Sequence, residues 1–302
     1  MNEEVRADAH AHADAAPQGG ASARRARGAG KVRSTLEVRA FPGGFDADIP
    51  RWWLGGSALA THLANGVNLL FPPGERFFIR SVRHYLDRIA DDPALVADVH
   101  AFFGQEGRHA QAHDRVMKML EEQGYDVATF MRVYEAICYG FIEKVAPPKL
   151  RLSTTVAIEH FTAIMAENAL RDGVLDLAHP RLKALLSWHA AEEIEHRAVA
   201  FRVLQRVDPS YPLRVTGLAV ATTLLAGFWI AGTAMLLAQD REGLRRVKRE
   251  APELGERNPF GKRVFGKGIA KYLRRDFDPA APSDLDELAS RYLASAGLSP
   301  SA

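Results

Sequence analysis

Beyond Trp52 apolar residues recur at spacings of three and four almost without interruption, and no useful stretch alternates apolar and polar positions as a half-buried strand would. Trp52 to Leu70 is mostly apolar and small, and Phe71-Pro72-Pro73-Gly74 breaks it. From Glu75 the helical spacing resumes through Phe77, Phe78, Val82, Tyr85, Leu86 and Ile89. Asp91-Asp92-Pro93 reads as a helix start, an acidic cap with proline in the first turn, and predicts a helix to about Glu122 before Gly124. Further helices are predicted over roughly Asp126 to Lys144, closed by Pro147-Pro148, and over Lys149 to Arg171, ending near Gly173. Another runs from Pro180 to just before Asp208-Pro209. The pattern predicts an all-α fold.

Val215 to Gln239 is a run of 25 residues without a charge, followed by the basic cluster Arg241, Arg245, Arg246, Lys248 and Arg249. Its length meets the criterion for a membrane-spanning helix with the basic cluster on the cytoplasmic side. Four threonines (Thr216, Thr222, Thr223, Thr233) and many Ala and Gly residues suit a buried helix packed on the rest equally well, and both readings stand at this point. After Pro252 short helices are expected, clearest over Ser283 to Ala294, where Ser283 is placed to cap and Asp286 follows three residues on. Residues 1–34 hold almost no large apolar side chain and read as a disordered tail, His10 and His12 included. Glu3, Glu4, Asp8 and Asp14 argue against a transit peptide. The expected organisation is a tail over 1–34, a di-metal helical bundle over 35–210, an apolar helix over 211–240, membrane-associated or buried, and a helical extension over 241–302.

Composition narrows the chemistry. With 302 residues, 47% hydrophobic, 25% charged and a net charge of +2, the chain is an ordinary globular one, with no basic and aromatic cluster that would mark a nucleic-acid surface. Cys138 is the one cysteine, so no intramolecular disulfide forms and a reducing, cytoplasmic setting is the simplest fit. Thiolate-held zinc and iron–sulfur sites need several cysteines and are excluded within one chain. Any metal must be held by Glu and His.

Those residues occur in a doubled pattern. Glu106-Gly-Arg-His109 and Glu193-Ile-Glu-His196 are both Glu-x-x-His, and each follows a lone glutamate in an apolar context, Glu75 and Glu159. On a helix, positions three and four apart share a face, so His189, Glu193 and His196 form one stripe, as do Glu106, His109 and His113. The gaps from Glu75 to Glu106 and from Glu159 to Glu193 are 31 and 34 positions, each long enough for a helix hairpin. The competing account is a pair of solvated helix faces with incidental histidines. Ala101, Phe102 and Phe103, Ala157, Ile158 and Phe161, and Ala190, Ala191 and Val199 surround these carboxylates instead, and a carboxylate in such a stripe is costly to bury unless it is paired or metal-bound. His113 and His160, beside these residues, read as packing or supporting side chains. Glu195 is expected to be solvated. Asp114, Glu167 and Asp172 are candidates to orient a ligating imidazole, and Tyr85, Tyr134 and Tyr139 read as core aromatics.

The ordered set resembles the ferritin-like di-iron carboxylate superfamily, in which two Glu-x-x-His helices and one Glu from each of two others project inward. More narrowly, FPPGERFFIRSVRHY, FFGQEGRHAQAH, AIEHFTAI and WHAAEEIEHRAVAF are similar to a bacterial family of predicted metal-dependent hydrolases, over about residues 50–210. His189, four before Glu193, is similar to the third histidine of p-aminobenzoate N-oxygenase-type di-iron enzymes. The resemblance implies a ferritin-like four-helix bundle with extra C-terminal helices, and Glu75, Glu106, His109, Glu159, His189, Glu193 and His196 as ligands of two iron ions, or of manganese or zinc. It implies an oxygenase or oxidase that uses O2 and an electron donor on a hydrophobic or lipid-like small molecule. The alternatives are a two-metal hydrolase and a non-catalytic iron-binding protein. Glu75 departs from the pattern by following Pro-Pro-Gly directly instead of lying mid-helix. A cytoplasmic protein, able to associate with the inner face of the cell membrane and to form a homodimer, fits this reading.

Overall fold

The computed structural model describes residues 34–41, 48–257, 262–296 and 298; the readings of residues 1–33, and His10 and His12 with them, lie outside these. The helices begin where local chemistry lets them. Helix α1 (Ala58–Asn68) is capped by Ser57, whose hydroxyl accepts from the Ala60 amide while Glu250 accepts from Ser57 Oγ and the Leu59 amide. In α2 (Phe71–Arg83), Pro72 and Pro73 occupy the first turn, where a missing N–H costs nothing. The Pro-Pro-Gly run therefore starts this helix, and Glu75 lies at its fifth position. Helix α3 (Pro93–Glu122) is capped by Asp92, which accepts from the Leu95 amide.

Helix α4 (Ala128–Glu135) continues through a π-helical segment, Ala136–Ile142, into the short α5 (Glu143–Val145). Pro147-Pro148 then opens α6 (Pro148–Arg171), and Gly173, at φ +66°, lets the chain turn away from it. Helix α7 (Pro180–His196) does not run on to Asp208 as the sequence pattern predicts. It breaks at Arg197-Ala198 before α8 (Val199–Val207), and the Arg197 guanidinium takes the Ile194 carbonyl at 2.5 Å. Then follow α9 (Tyr211–Gln239), α10 (Arg241–Arg257), a π-helical turn over Lys262–Lys267, α11 (Gly268–Tyr272) and α12 (Leu285–Ser295). Asp284, not Ser283, precedes α12, and Asp286 pairs with Arg197 instead of closing a capping box. Apart from one isolated bridge between Leu54 and Ala178, the described residues hold no β-structure. The fold is all-α.

Four helices enclose the site: α2 packs on α3 and α6, and α7 packs on α6 and α3. Helix α9 lies against α6 and α1, α10 against α1, and α12 against α7. On α3 the apolar core changes hands: Leu95, Val99 and Phe102 join one cluster, Ala112, Val116 and Leu120 the other, and Glu106 and His109 fall at the junction. Helix α9 is long and apolar enough to cross a membrane by length and composition. It carries a buried stripe, Gly217, Leu218, Ala221, Leu225, Trp229, Gly232 and Leu236, while Thr216, Ala219, Thr223, Gly227, Ile230 and Ala234 are exposed.

Candidate metal centre

Helices α2, α3, α6 and α7 bring all seven predicted side chains to one place, each of them buried. Glu75 comes from α2, Glu106 and His109 from mid-α3, Glu159 from mid-α6, and His189, Glu193 and His196 from the last turns of α7. His113 joins them from α3, its Nε2 2.7 Å from His189 Nδ1. Glu193 sits at the middle. Its Oε1 is 2.8 Å from His189 Nε2 and 3.6 Å from His109 Nδ1, and its Oε2 is 3.6 Å from His196 Nε2. His196 Nε2 is also 3.1 Å from Glu106 and 3.4 Å from Glu159. Potential ligand atoms lie within 4.8 Å of one another in four overlapping groups: Glu75, His113 and His189; His109, His189 and Glu193; Glu75, Glu106 and His109; and Glu106, Glu159 and His196.

Four buried glutamates facing one another need a counter-charge. Both carboxylate oxygens of Glu75, Glu106 and Glu159, together with Glu193 Oε2, His109 Nδ1, His113 Nδ1 and His196 Nε2, have no hydrogen-bond partner. Orphaned buried acceptors are rare because each forfeits its hydration. Here they converge, which is the donor set a divalent cation of oxygen and imidazole preference would satisfy. The residues fit a metal.

In the metal-free protein the charge settles unevenly. Burial, reinforced by the negative charge of Glu106 and Glu193, lifts the Glu75 carboxyl well above its ordinary range, and burial lifts Glu159 likewise. Glu106 is raised by burial to about 7. Burial pushes Glu193 the same way, but His196 and His189 outweigh it and hold this one carboxylate well below its ordinary range. His196 mirrors it: burial disfavours its charge, yet Glu193 and Glu159 raise it well above the usual imidazole value. Burial and the nearby His189 hold His109 and His113 well below theirs. A Glu193–His196 ion pair results, with Glu75 and Glu159 pushed toward the neutral acid and Glu106 divided between its two forms near pH 7.

This distribution sets a pH dependence. Above the ordinary histidine value of 6.5 the unfolded chain has neutral histidines and charged glutamates. The folded metal-free protein still holds protons on Glu75, Glu159 and His196, and in part on Glu106. Binding more protons when folded, the metal-free protein is expected to lose stability as pH rises from about 6.5 to 8. Metal must displace those protons, so the stabilisation by added metal is expected to grow over the same interval. Thermal melts at both pH values, with and without excess divalent metal, check this, and parallel curves would show that the cluster keeps its protons.

An outer ring holds the imidazoles. Glu192 Oε2 is 2.9 Å from His109 Nε2, and Gln105 Oε1 is 3.1 Å from His196 Nδ1. Arg39, from a segment outside any helix, binds Glu192 at 3.2 Å and Glu195 at 2.7 and 3.1 Å, and Glu195 in turn accepts from Gln105 at 3.1 Å. One buried guanidinium thus braces both Glu-x-x-His histidines. Glu195 is not free in solvent as the sequence predicts, because it pairs with Arg39. Asp114 pairs with Arg76 and Glu167 with Arg171 at the surface, so neither orients an imidazole, and His160 contacts the Gly268 carbonyl at 2.9 Å. Glu192 was legible in spacing: it lies three after His189 and four before His196, on the same stripe as Glu193. Nothing in the sequence marks Arg39. Glu192→Ala is expected to weaken metal affinity roughly 10–100-fold, with Glu192→Gln, which keeps an acceptor, much milder; competition with a chromophoric chelator measures both.

Two apolar cavities lie nearby, and the larger of them is lined in part by the cluster. One of about 520 Å³ is lined by His189 and Glu193 and by Leu63, Met165 and Trp229; the other, about 280 Å³, is lined by Tyr134, Tyr139 and Ile158. Val67, Phe71 and Thr162 line both. The Phe71 ring packs 4.6 Å from His113 and 4.9 Å from His189, centroid to centroid.

A family model described as predicted metal-dependent hydrolase matches residues 37–282, a range that holds Arg39, the whole cluster and helices α1 to α11. The chain belongs to that family. No curated protein and no solved structure matches it. For a predicted metal-dependent hydrolase, the one buried concentration of Glu and His among the described residues that meets in ligand-sized groups is the cluster above.

Proposed function

We propose that the protein is a two-metal hydrolase on a ferritin-like bundle, cleaving an ester or related acyl bond in a hydrophobic small molecule. The observation that carries this is the cluster of unpartnered carboxylates and imidazoles in the wall of an apolar cavity, and family membership supports hydrolysis as the reaction. Glu106, Glu159 and His196 would hold one ion and Glu75, His109 and His189 the other, with Glu193 reaching both. Bound there, two divalent ions supply Lewis acidity and a nucleophile at neutral pH. The chain's own residues do the rest. Arg39, through Glu192, Glu195 and Gln105, fixes the imidazole planes. The apolar walls exclude bulk water and strengthen each polar interaction inside. Phe71 lines both cavities and packs its ring against His113 and His189.

A second reading, oxidation of the same kind of substrate with O2 and an electron donor, is favoured by one specific feature. The order Glu75, Glu106-x-x-His109, Glu159, Glu193-x-x-His196 on four helices is the inward ligand pattern of di-iron carboxylate bundles. Metal analysis of the purified protein, followed by two assays, separates the readings: cleavage of medium-chain nitrophenyl esters, and oxygen uptake by reduced iron-loaded protein. Ester cleavage that needs metal and ignores oxygen supports the hydrolase. Oxygen uptake with substrate oxidation and no ester cleavage replaces it with the oxidase. Absence of bound metal under metal-replete expression sinks both. An apolar substrate and the uncharged outer face of α9 also suit a place at the cytoplasmic face of a membrane.

A further inference from the structure

We propose that the two cavities are one site for a single-chain amphiphile, with its anionic end held by Arg151 at the mouth of the smaller cavity. This rests on the reading of the Glu/His cluster as the reactive centre. Helix α6 lines both cavities with one face. Arg151, Thr154 and Ile158 face the smaller, Thr162 lies where the two meet, and Met165 and Ala169 face the larger. The spacing is three and four throughout, so the cavities lie in sequence along a single helix and do not open on opposite sides of it. From Arg151 to Thr162 is 11 residues, about 16 Å along the axis, the reach of a long alkyl chain. A chain of that length brings its far end to Phe71 and Thr162, beside the histidines and Glu193. A longer chain continues into the larger cavity, with Leu63, Trp229 and Met165 as walls.

The charge is placed for one end only. Arg151 and Glu143 are the charged residues lining the smaller cavity, and Glu143 is taken by Arg80 in two hydrogen bonds of 2.9 and 2.7 Å. Lys149, two residues before Arg151, is paired with Asp208. Arg151 is half-buried, and its Nε is fully buried with no hydrogen-bond partner. A guanidinium donor shut off from water and left unpartnered at the edge of an apolar cavity fits a carboxylate or phosphate, which it can grip with two parallel bonds. Among the described residues lining the larger cavity there is no Lys or Arg, so the amphiphile has one charged end.

Displacement of a fluorescent fatty acid from the full-length protein, metal-free and metal-loaded, tests this with tetradecanoate, tetradecyl phosphate, tetradecanol and tetradecylamine as competitors. The two anions are expected to bind at least about tenfold more tightly than the alcohol, and their relative order tells carboxylate from phosphate. Arg151→Gln should erase the advantage and Arg151→Lys should keep part of it, with tetradecanol affinity unchanged in both. Ala169→Phe, at a position 18 residues beyond Arg151 and about 27 Å along the helix, should weaken docosanoate but not tetradecanoate. Equal binding of acid and alcohol to the wild type, tighter binding of the amine, or an Arg151→Gln variant with undiminished anion preference would each overturn the proposal. Arg151-dependent binding without any metal-dependent turnover would sink the reaction proposed above and leave this site standing. Turnover with no anion preference would do the reverse.

Discussion

The Glu159→Gln protein is expected to melt at the wild-type temperature when both are metal-free, yet as purified to hold no more than about a tenth of the wild-type metal. Both halves follow from the same environment. Glu159 is buried, has no hydrogen-bond partner on either oxygen, and is kept protonated by burial and by the charges of Glu106 and Glu193. An amide of the same shape replaces a neutral acid, so the metal-free fold loses nothing. The metal loses an anionic ligand that only it could recruit. Glu75→Gln should behave alike, since Glu75 is also orphaned and held neutral.

Glu193→Gln is the contrast. Glu193 is the carboxylate that stays charged, against a His196 held protonated by it. Removing one partner strands the other's charge in the interior, which costs about 3–5 kcal/mol. This variant is therefore expected to lose metal and also to melt well below the wild type. Elemental analysis and calorimetry of the three variants decide the matter. If all three are equally destabilised, the cluster is an ion-pair network holding the helices together. If Glu159→Gln keeps full metal, Glu159 leaves the ligand set.

Much of this was legible in the chain because helix periodicity carries it. The pattern predicts α3, α6 and α9 to within a few residues, since Asp92-Pro93, Pro147-Pro148 and the uncharged run over 215–239 are local signals. Five of the seven Glu and His residues share two stripes that spacing alone exposes, and Glu75 and Glu159 stand out as lone glutamates in apolar surroundings. What escaped is long-range. Arg39 reaches Glu192 and Glu195 across more than 150 positions, and no local pattern announces such a partner. The break at Arg197 escaped because it depends on a guanidinium competing for the Ile194 carbonyl and on Asp286 from a distant helix. Proline at 72 and 73 reads as a break from either side; only the backbone shows that it begins a helix. His113 reads from the sequence as a packing or supporting side chain, because its contact with His189 is a tertiary fact.

The same limit applies to α9, whose composition permits two fates, and here one substitution gives the largest stability effect expected outside the metal cluster. A Cβ placed on Gly217 would lie 2.1 Å from Ser153 Oγ and 2.6 and 2.7 Å from the Ser153 backbone carbon and oxygen. The side chain could swing aside, but the backbone of α6 cannot without moving Glu159 and the cavity wall. Gly217→Ala is expected to cost about 3 kcal/mol and to lower the melting temperature by roughly 6–10 °C. Gly227 lies on the exposed face of the same helix, with nothing within 4 Å of the corresponding position. Gly227→Ala is expected to stabilise by about 0.5–1 kcal/mol, through helix propensity and a less flexible unfolded chain. The pair discriminates between the two fates. A helix that left the bundle to cross a bilayer would answer to both alanines alike, because neither would meet α6. A helix that belongs to the fold answers with opposite signs, and its outer face alone remains for a membrane or a partner. Arg214, buried near the start of α9 and bound to the carbonyls of Tyr272 and Arg274 at 2.7 Å each, ties the helix down at that end as well.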